Sequence, residues 1–180
     1  MANGTLKVGT ITTSSGSGNI TIGSGVTVNV NRPAFMAYQG SDLNVSDDTV
    51  TKVPIDTEIF DTDSAFDTSN YRFTIPTGGD GKYFFHGSVC PEDYSAHTMY
   101  YCQIELHKNG TKVKQNFFNT KDGSTNIGFF PLILSYEDDA VAGDYYELFG
   151  LSGGATAARF DAGGSTEKRG IFGGYKLIGA

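Results

Sequence analysis

The sequence has two cysteines, no tryptophan and no apolar run near the roughly 20 residues that cross a bilayer. So few cysteines leave stability to burial, and a domain of roughly 150 residues buries about 70% of its unfolded surface, enough for a core without disulfides. Basic residues are the scarcer sign: 13 Lys and Arg against 20 Asp and Glu give a formal charge of −7. That balance argues against a nucleic-acid binder, which needs a basic stripe to release counterions. Met1-Ala2-Asn3-Gly4-Thr5 offers neither a basic n-region nor an apolar h-region, so the chain is expected to be made without a secretory signal peptide. His86, His97 and His107 lack the spacing of a metal site. Motifs for a nucleophile elbow, a zinc-protease helix and a phosphate loop are also missing, so no enzyme activity is expected. Two carboxylates meeting in space could still hydrolyse a glycoside, but 180 residues are few for such a groove.

What is present points to an all-β chain. Glycine is abundant at 24 residues but follows no three-residue period, which excludes collagen. Thirteen Phe and ten Tyr stand in a chain only 38% hydrophobic, and aromatic and β-branched residues favour strands. Residues 1–31 read as short period-two runs, such as Val26-Thr27-Val28-Asn29-Val30, separated by Gly, Ser and Asn. Such runs are too short to bury a face alone, so this segment is expected to form short strands that gain partners from neighbouring chains or a docking protein; a flexible linker is the alternative. From Arg32 on, strands are expected at 34–39, 51–60, 71–75, 82–89, 98–108, 111–118, 126–136, 144–151 and 170–178. Asn109-Gly110 between two alternating runs is a strong hairpin signal. Many short strands at this spacing imply a sandwich, a jelly roll or a barrel. Along these strands Phe35, Phe73, Tyr83, Phe85, Tyr100, Phe172 and Tyr175 are expected to face inward, into a core or a subunit interface. Cys90 and Cys102 flank a turn-like stretch, but inward Tyr83 and Phe85 put Cys90 on the opposite face from Cys102. A disulfide would need a bulge; two small buried hydrophobes is the favoured reading, and the pairing stays open.

Five elements in order carry a family resemblance. They are Arg32-Pro33-Ala34-Phe35-Met36-Ala37; then 66–76, from Phe66-Asp67 through Tyr71-Arg72-Phe73 to Pro76, with Gly81-Lys82-Tyr83-Phe84-Phe85; then Ile104-Glu105-Leu106-His107-Lys108-Asn109-Gly110; Ala142-Gly143-Asp144-Tyr145-Tyr146-Glu147-Leu148; and Phe172-Gly173-Gly174-Tyr175-Lys176-Leu177. Together, over residues 32–180, they resemble the C1q-like globular domain of the C1q/TNF superfamily. The resemblance implies a ten-strand jelly-roll sandwich, a tight homotrimer and both termini at one end. A trimer would also relieve the modest apolar content. Residues 1–31 carry no Gly-X-Y repeat of a collagen stalk. Residues 4–11, Gly4-Thr5-Leu6-Lys7-Val8-Gly9-Thr10-Ile11, with Ile20-Thr21-Ile22-Gly23-Ser24-Gly25, are similar to N-termini of tail-fibre proteins of tailed phages, marine ones especially. That resemblance implies a virion fibre or spike: residues 1–31 attach to a virion docking protein on tail or capsid, and residues 32–180 form a head that binds a host-surface glycan or protein. A capsid decoration protein is the first alternative, favoured by the short shaft; a bacterial surface or spore-coat trimer is the second.

With the termini at the base, alternate loops reach the far tip: 40–50, 91–97, 119–125 and 152–169. Loops on a rigid scaffold commonly bind ligands. Tyr94, His97, Lys121, Asp122 and Arg159 are the candidate anchors, because Tyr and Arg are frequent in binding hot spots. Two acidic clusters, around Asp42, Asp47 and Asp48 and around Asp61 and Asp63, are candidate Ca²⁺ ligands, since Ca²⁺ takes six to eight oxygens. The second starts like an EF-hand loop, but Ala65 and Phe66 stand where a ligand and a glycine are required. Turn capping and solubility explain these carboxylates at least as well.

Overall fold

A computed structural model describes residues 32–120 and 126–177, with Ser24. The expected attachment segment, apart from Ser24, lies outside the described residues, as do Lys121 and Asp122. The described chain is nearly all strand: β1 Ala34–Tyr38, β2 Leu43–Asn44, β3 Thr51–Lys52, β4 Thr57–Asp61, β5 Phe66–Asp67, β6 Arg72–Thr74, β7 Gly81–Val89, β8 Pro91–Asp93, β9 Tyr101–Lys108, β10 Thr111–Asn119, β11 Leu132–Ala140, β12 Tyr145–Gly153, β13 Ala158–Phe160 and β14 Ile171–Lys176, with one helical turn, α1 Gly164–Glu167.

Two sheets of five strands in sequence, β11-β7-β14-β1-β4 and β10-β9-β12-β6-β5, supply the ten strands of the expected jelly roll; β3 adds to β12. A three-stranded ribbon, β2-β13-β8, joins the loops at one end. The β9–β10 hairpin turns at Asn109 and Gly110, whose φ values of 51° and 76° are both positive, as a two-residue I′ turn requires. Pairing of Ala34 with Tyr175 sets the start of β1 beside the end of β14, at the base.

Period-two burial builds the core. On β7, Tyr83, Phe85 and Val89 point inward and are fully buried. Phe35 stacks on Phe73 from the other sheet at 4.2 Å between ring centroids, and Phe85 on Tyr146 at 4.0 Å. Each such ring contributes about 1.5–3 kcal/mol by leaving water, plus a smaller stacking increment.

Several expectations are corrected. The strand expected at 51–60 splits into β3 and β4, because Pro54 has no N–H to give a ladder. The strand expected at 126–136 begins only at Leu132, after Pro131; before it, Ile127 and Phe129 make single bridges to Met99 and Glu92. Tyr100 precedes β9 and is 39% exposed, lying across Gly154 instead of facing the core. Tyr175 is 46% exposed: it shares its face of β14 with Gly173 and not with Phe172, and it packs against Phe84 at 5.5 Å. Phe35, Tyr83 and Phe85 are core residues with no free surface. Cys90 and Cys102, by contrast, are both buried free thiols, as the favoured reading had it.

Candidate functional site

Strand register gathers four loops at the end opposite Arg32 and Leu177. They follow Tyr38, Val89 and Gly153 and precede Leu132, and the ribbon ties three of them: Arg159 pairs with Asn44 on one side and Glu92 on the other. Three of the expected tip loops, 40–50, 91–97 and 152–169, are thus neighbours in space, while most of 119–125 lies outside the described residues.

Asp93 organises them. Its carboxylate is fully buried. Oδ1 accepts from the N–H groups of Ser95, Ala96 and Ala157 and from Ser95 Oγ; Oδ2 accepts from the N–H groups of Thr98 and Thr156 and from Thr98 Oγ1. Burial raises the carboxyl's pKa, but these donors outweigh it and hold the group well below the ordinary carboxylate range. One side chain therefore locks loop 94–98 to loop 154–157. Nothing in the sequence reading singled it out; the Asp-to-Thr spacing across a turn was the available signal.

Loop residues around this lock are presented outward. Tyr94 is 46% exposed, and its ring lies 5.0 Å below the Arg159 guanidinium. Arg159 is not a free cation: Nε donates to Glu92 at 2.5 Å and Nη1 meets Asp42 at 2.7 Å. The Glu92 hydrogen bond leads in raising its pKa above the ordinary value. Its role here is to brace Tyr94. His97 is exposed with φ 54°, and its ring closes against Gly128, where a Cβ would lie 2.5 Å from Nδ1. Phe129, 55% exposed, lies under Arg169 at 5.6 Å. Among the described residues the tip shows exposed aromatics beside the internally paired guanidinium groups of Arg159 and Arg169.

The acidic candidates are spent on the chain itself. Asp42 accepts from Ala162 N–H at 2.9 Å as well as binding Arg159, and Asp47 accepts from Ala155 N–H at 2.8 Å. A hydrogen bond to Asp48 leads in raising the Tyr101 phenol to about 12. Asp61 accepts from Asp63 and Phe66 N–H, and Asp63 from the Thr62 hydroxyl. Among the described residues no three His, Cys, Asp or Glu groups converge as metal ligands. Asp61 caps its own turn, while Asp42, Asp47 and Asp48 bond to distant segments of the chain.

A second surface is the outward face of the five-stranded sheet. Residues paired across the strands share a face, so its middle row runs Phe60, Met36, Gly173, His86, Ser135. The row toward the tip holds Tyr38, Ile171, Ser88 and Ile133; the row toward the base holds Ala34, Tyr175, Phe84 and Glu137. Ile133 is 72% exposed. No helix among the described residues is long and apolar enough to cross a membrane.

No family model and no curated protein sequence matches the chain. Solved structures do match. The globular domain of zebrafish complement 1qA protein superposes with a TM-score of 0.55 at 13% identity, over 81% of this chain and 98% of that one. Murine APRIL gives 0.56 at 10% identity, over 81% and 99%. Eiger TNF from S. frugiperda gives 0.56 at 14% identity, over 83% and 93%. The fold is therefore a C1q/TNF-like jelly roll.

Proposed function

We propose that the chain is a non-enzymatic homotrimeric binding protein whose tip loops meet the ligand. The observation carrying this reading is a pair of unlike apolar surfaces on one protomer. One is the outward sheet face just described. The other is the neighbouring edge of the sandwich, where Phe117 is 67% exposed beside Ile133. A ring of copies covers two different surfaces at once, face against edge, and closes without leaving either exposed. Mass photometry of the purified protein tests this: a trimer is expected, and a stable monomer overturns the reading.

The setting is a virion fibre or spike. Residues 1–31, whose sequence is similar to phage tail-fibre N-termini, hold it to a docking protein, and the tip contacts a host-surface glycan. Exposed Tyr94 and Phe129 support a glycan, since aromatic faces suit sugar rings. A glycan array read with and without a chelator tests the ligand and any Ca²⁺ requirement together. A second reading is a capsid decoration protein with a mainly structural role. Microscopy of virions separates the two by density on the tail or on the capsid.

A further inference from the structure

His86 occupies the middle of the outward sheet face. Its ring lies over Gly173 of the adjacent strand, where a Cβ would sit 2.5 Å from Nε2. A groove of about 470 Å³ opens beside it, lined by Met36, His86, Ser88, Ile133, Ser135 and Ile171. Among the described residues the imidazole has no hydrogen-bond or ion-pair partner; its one ring neighbour is Phe84, at 6.2 Å.

The groups around it are mostly neutral. From β14 it faces Gly173, flanked by Ile171 and Tyr175. From β11 it faces Ser135, flanked by Ile133 and Glu137. Beyond β14, β1 presents Met36 and Tyr38, and from the other sheet Asn116 lines the groove with its amide engaged on the Ile133 carbonyl. Lys82 and Asp139 face each other four residues from His86 and Ser135, toward the base. Glu137, one diagonal step away, is the nearest carboxylate by register.

We propose that His86 makes self-association pH-sensitive: neutral, it packs inside the face that a second copy covers; protonated, it places an uncompensated charge in each copy's interface and drives the copies apart. This rests on the homotrimer reading above, which supplies the occupant of the face. Burial alone already lowers the His86 pKa from its ordinary 6.5 within one protomer, and covering the face removes more water from it. The sign follows. Because covering the face lowers the value again, the free copies bind protons the assembly does not; association is at full strength above pH 6.5 and weakens once pH falls through the free protomer's own, already lowered value. One further unit of depression per protomer weakens binding about tenfold per site.

The test is sedimentation or mass photometry at about pH 7.5 and about pH 5.0, on the wild type, His86→Gln and His86→Phe. Two variants are used so that a folding defect in one does not decide the result. The expected outcome is a wild-type trimer at the higher pH that dissociates at the lower, with at least one folded variant trimeric at both. A wild type that stays trimeric at both pH values overturns the switch and leaves the trimer standing. Parallel dissociation of wild type and variants overturns it too, assigning acid lability to other groups such as Glu137. A wild-type monomer at the higher pH overturns the trimer reading and this inference with it.

Discussion

Asp93 and Thr98 are joined twice through one oxygen: Oδ2 accepts from the Thr98 N–H at 2.8 Å and from its hydroxyl at 2.9 Å. Replacing Asp93 with Asn keeps the shape but turns one acceptor into a donor that faces N–H groups. The loss is about 2–4 kcal/mol, the usual penalty for unsatisfied buried donors around a charged acceptor. Thermal melting of Asp93→Asn at fixed protein concentration checks this. The acid response separates the variant further. The wild-type carboxyl is held below its ordinary 3.8, so its contribution is present above that pH and lost as pH falls through the depressed value. Asp93→Asn has no such step, and its melting temperature is expected to fall less steeply on acidification.

The Tyr146 hydroxyl donates to Asp138 at 2.5 Å, while its ring stacks on Phe85 in the core. Tyr146→Phe keeps the stack and leaves Asp138 with Lys108 at 2.8 Å. Its cost is that of one hydrogen bond to a charged group, about 1.5–3 kcal/mol. Tyr146→Ala empties the core and costs about 3–5 kcal/mol. Urea unfolding of both variants checks the ratio, with the denaturant slope unchanged in the first.

Tyr94 and Arg159 separate binding from support. Tyr94 is exposed, and Arg159 lies over it in two ion pairs. Tyr94→Ala is expected to leave the melting temperature within about a degree, as surface substitutions do, and to lower glycan-array signal at least tenfold, about 1.4 kcal/mol. Arg159→Ala strands Glu92 and Asp42 and destabilises by about 1 kcal/mol, with a smaller loss of binding through the unbraced tyrosine. Equal effects of the two variants on binding would count against Tyr94 as the contact.

How far the sequence revealed this molecule depended on the length of each signal. The Asn109-Gly110 turn and the alternating runs at 82–89 and 111–118 matched β7, the hairpin and β10 within a residue or two, because local backbone chemistry and a long period-two pattern specify them. The ribbon of β2, β8 and β13 was invisible: strands of two or three residues carry no period, and only long-range pairing makes them. Tyr175 was misread because an aromatic on a strand marks an apolar face without saying which. Here both faces of the five-stranded sheet are apolar, one packed in the sandwich and one outward. The tip loops were found from topology, but Arg159, chosen for its residue type, turned out braced by Glu92 and Asp42. Residue type reports capacity to bind, while pairing across 67 positions, as between Arg159 and Glu92, appears only in the folded chain.

Cys90 and Cys102 give the last prediction. Burial leads in pushing both thiols up to about 12, with the Asp161 carboxylate adding to the first. At pH 7.5 the thiolate fraction is then roughly one part in 10⁴ or less, and the thiolate is the reactive form. Neither residue is exposed for attack. Iodoacetamide is therefore expected to modify neither cysteine in the native protein and both after unfolding without a reductant. Mass spectrometry reads the two adducts directly. An unfolded, unreduced protein that takes up none would reveal a bond between the pair, and a bulge where Val89 gives way to Cys90.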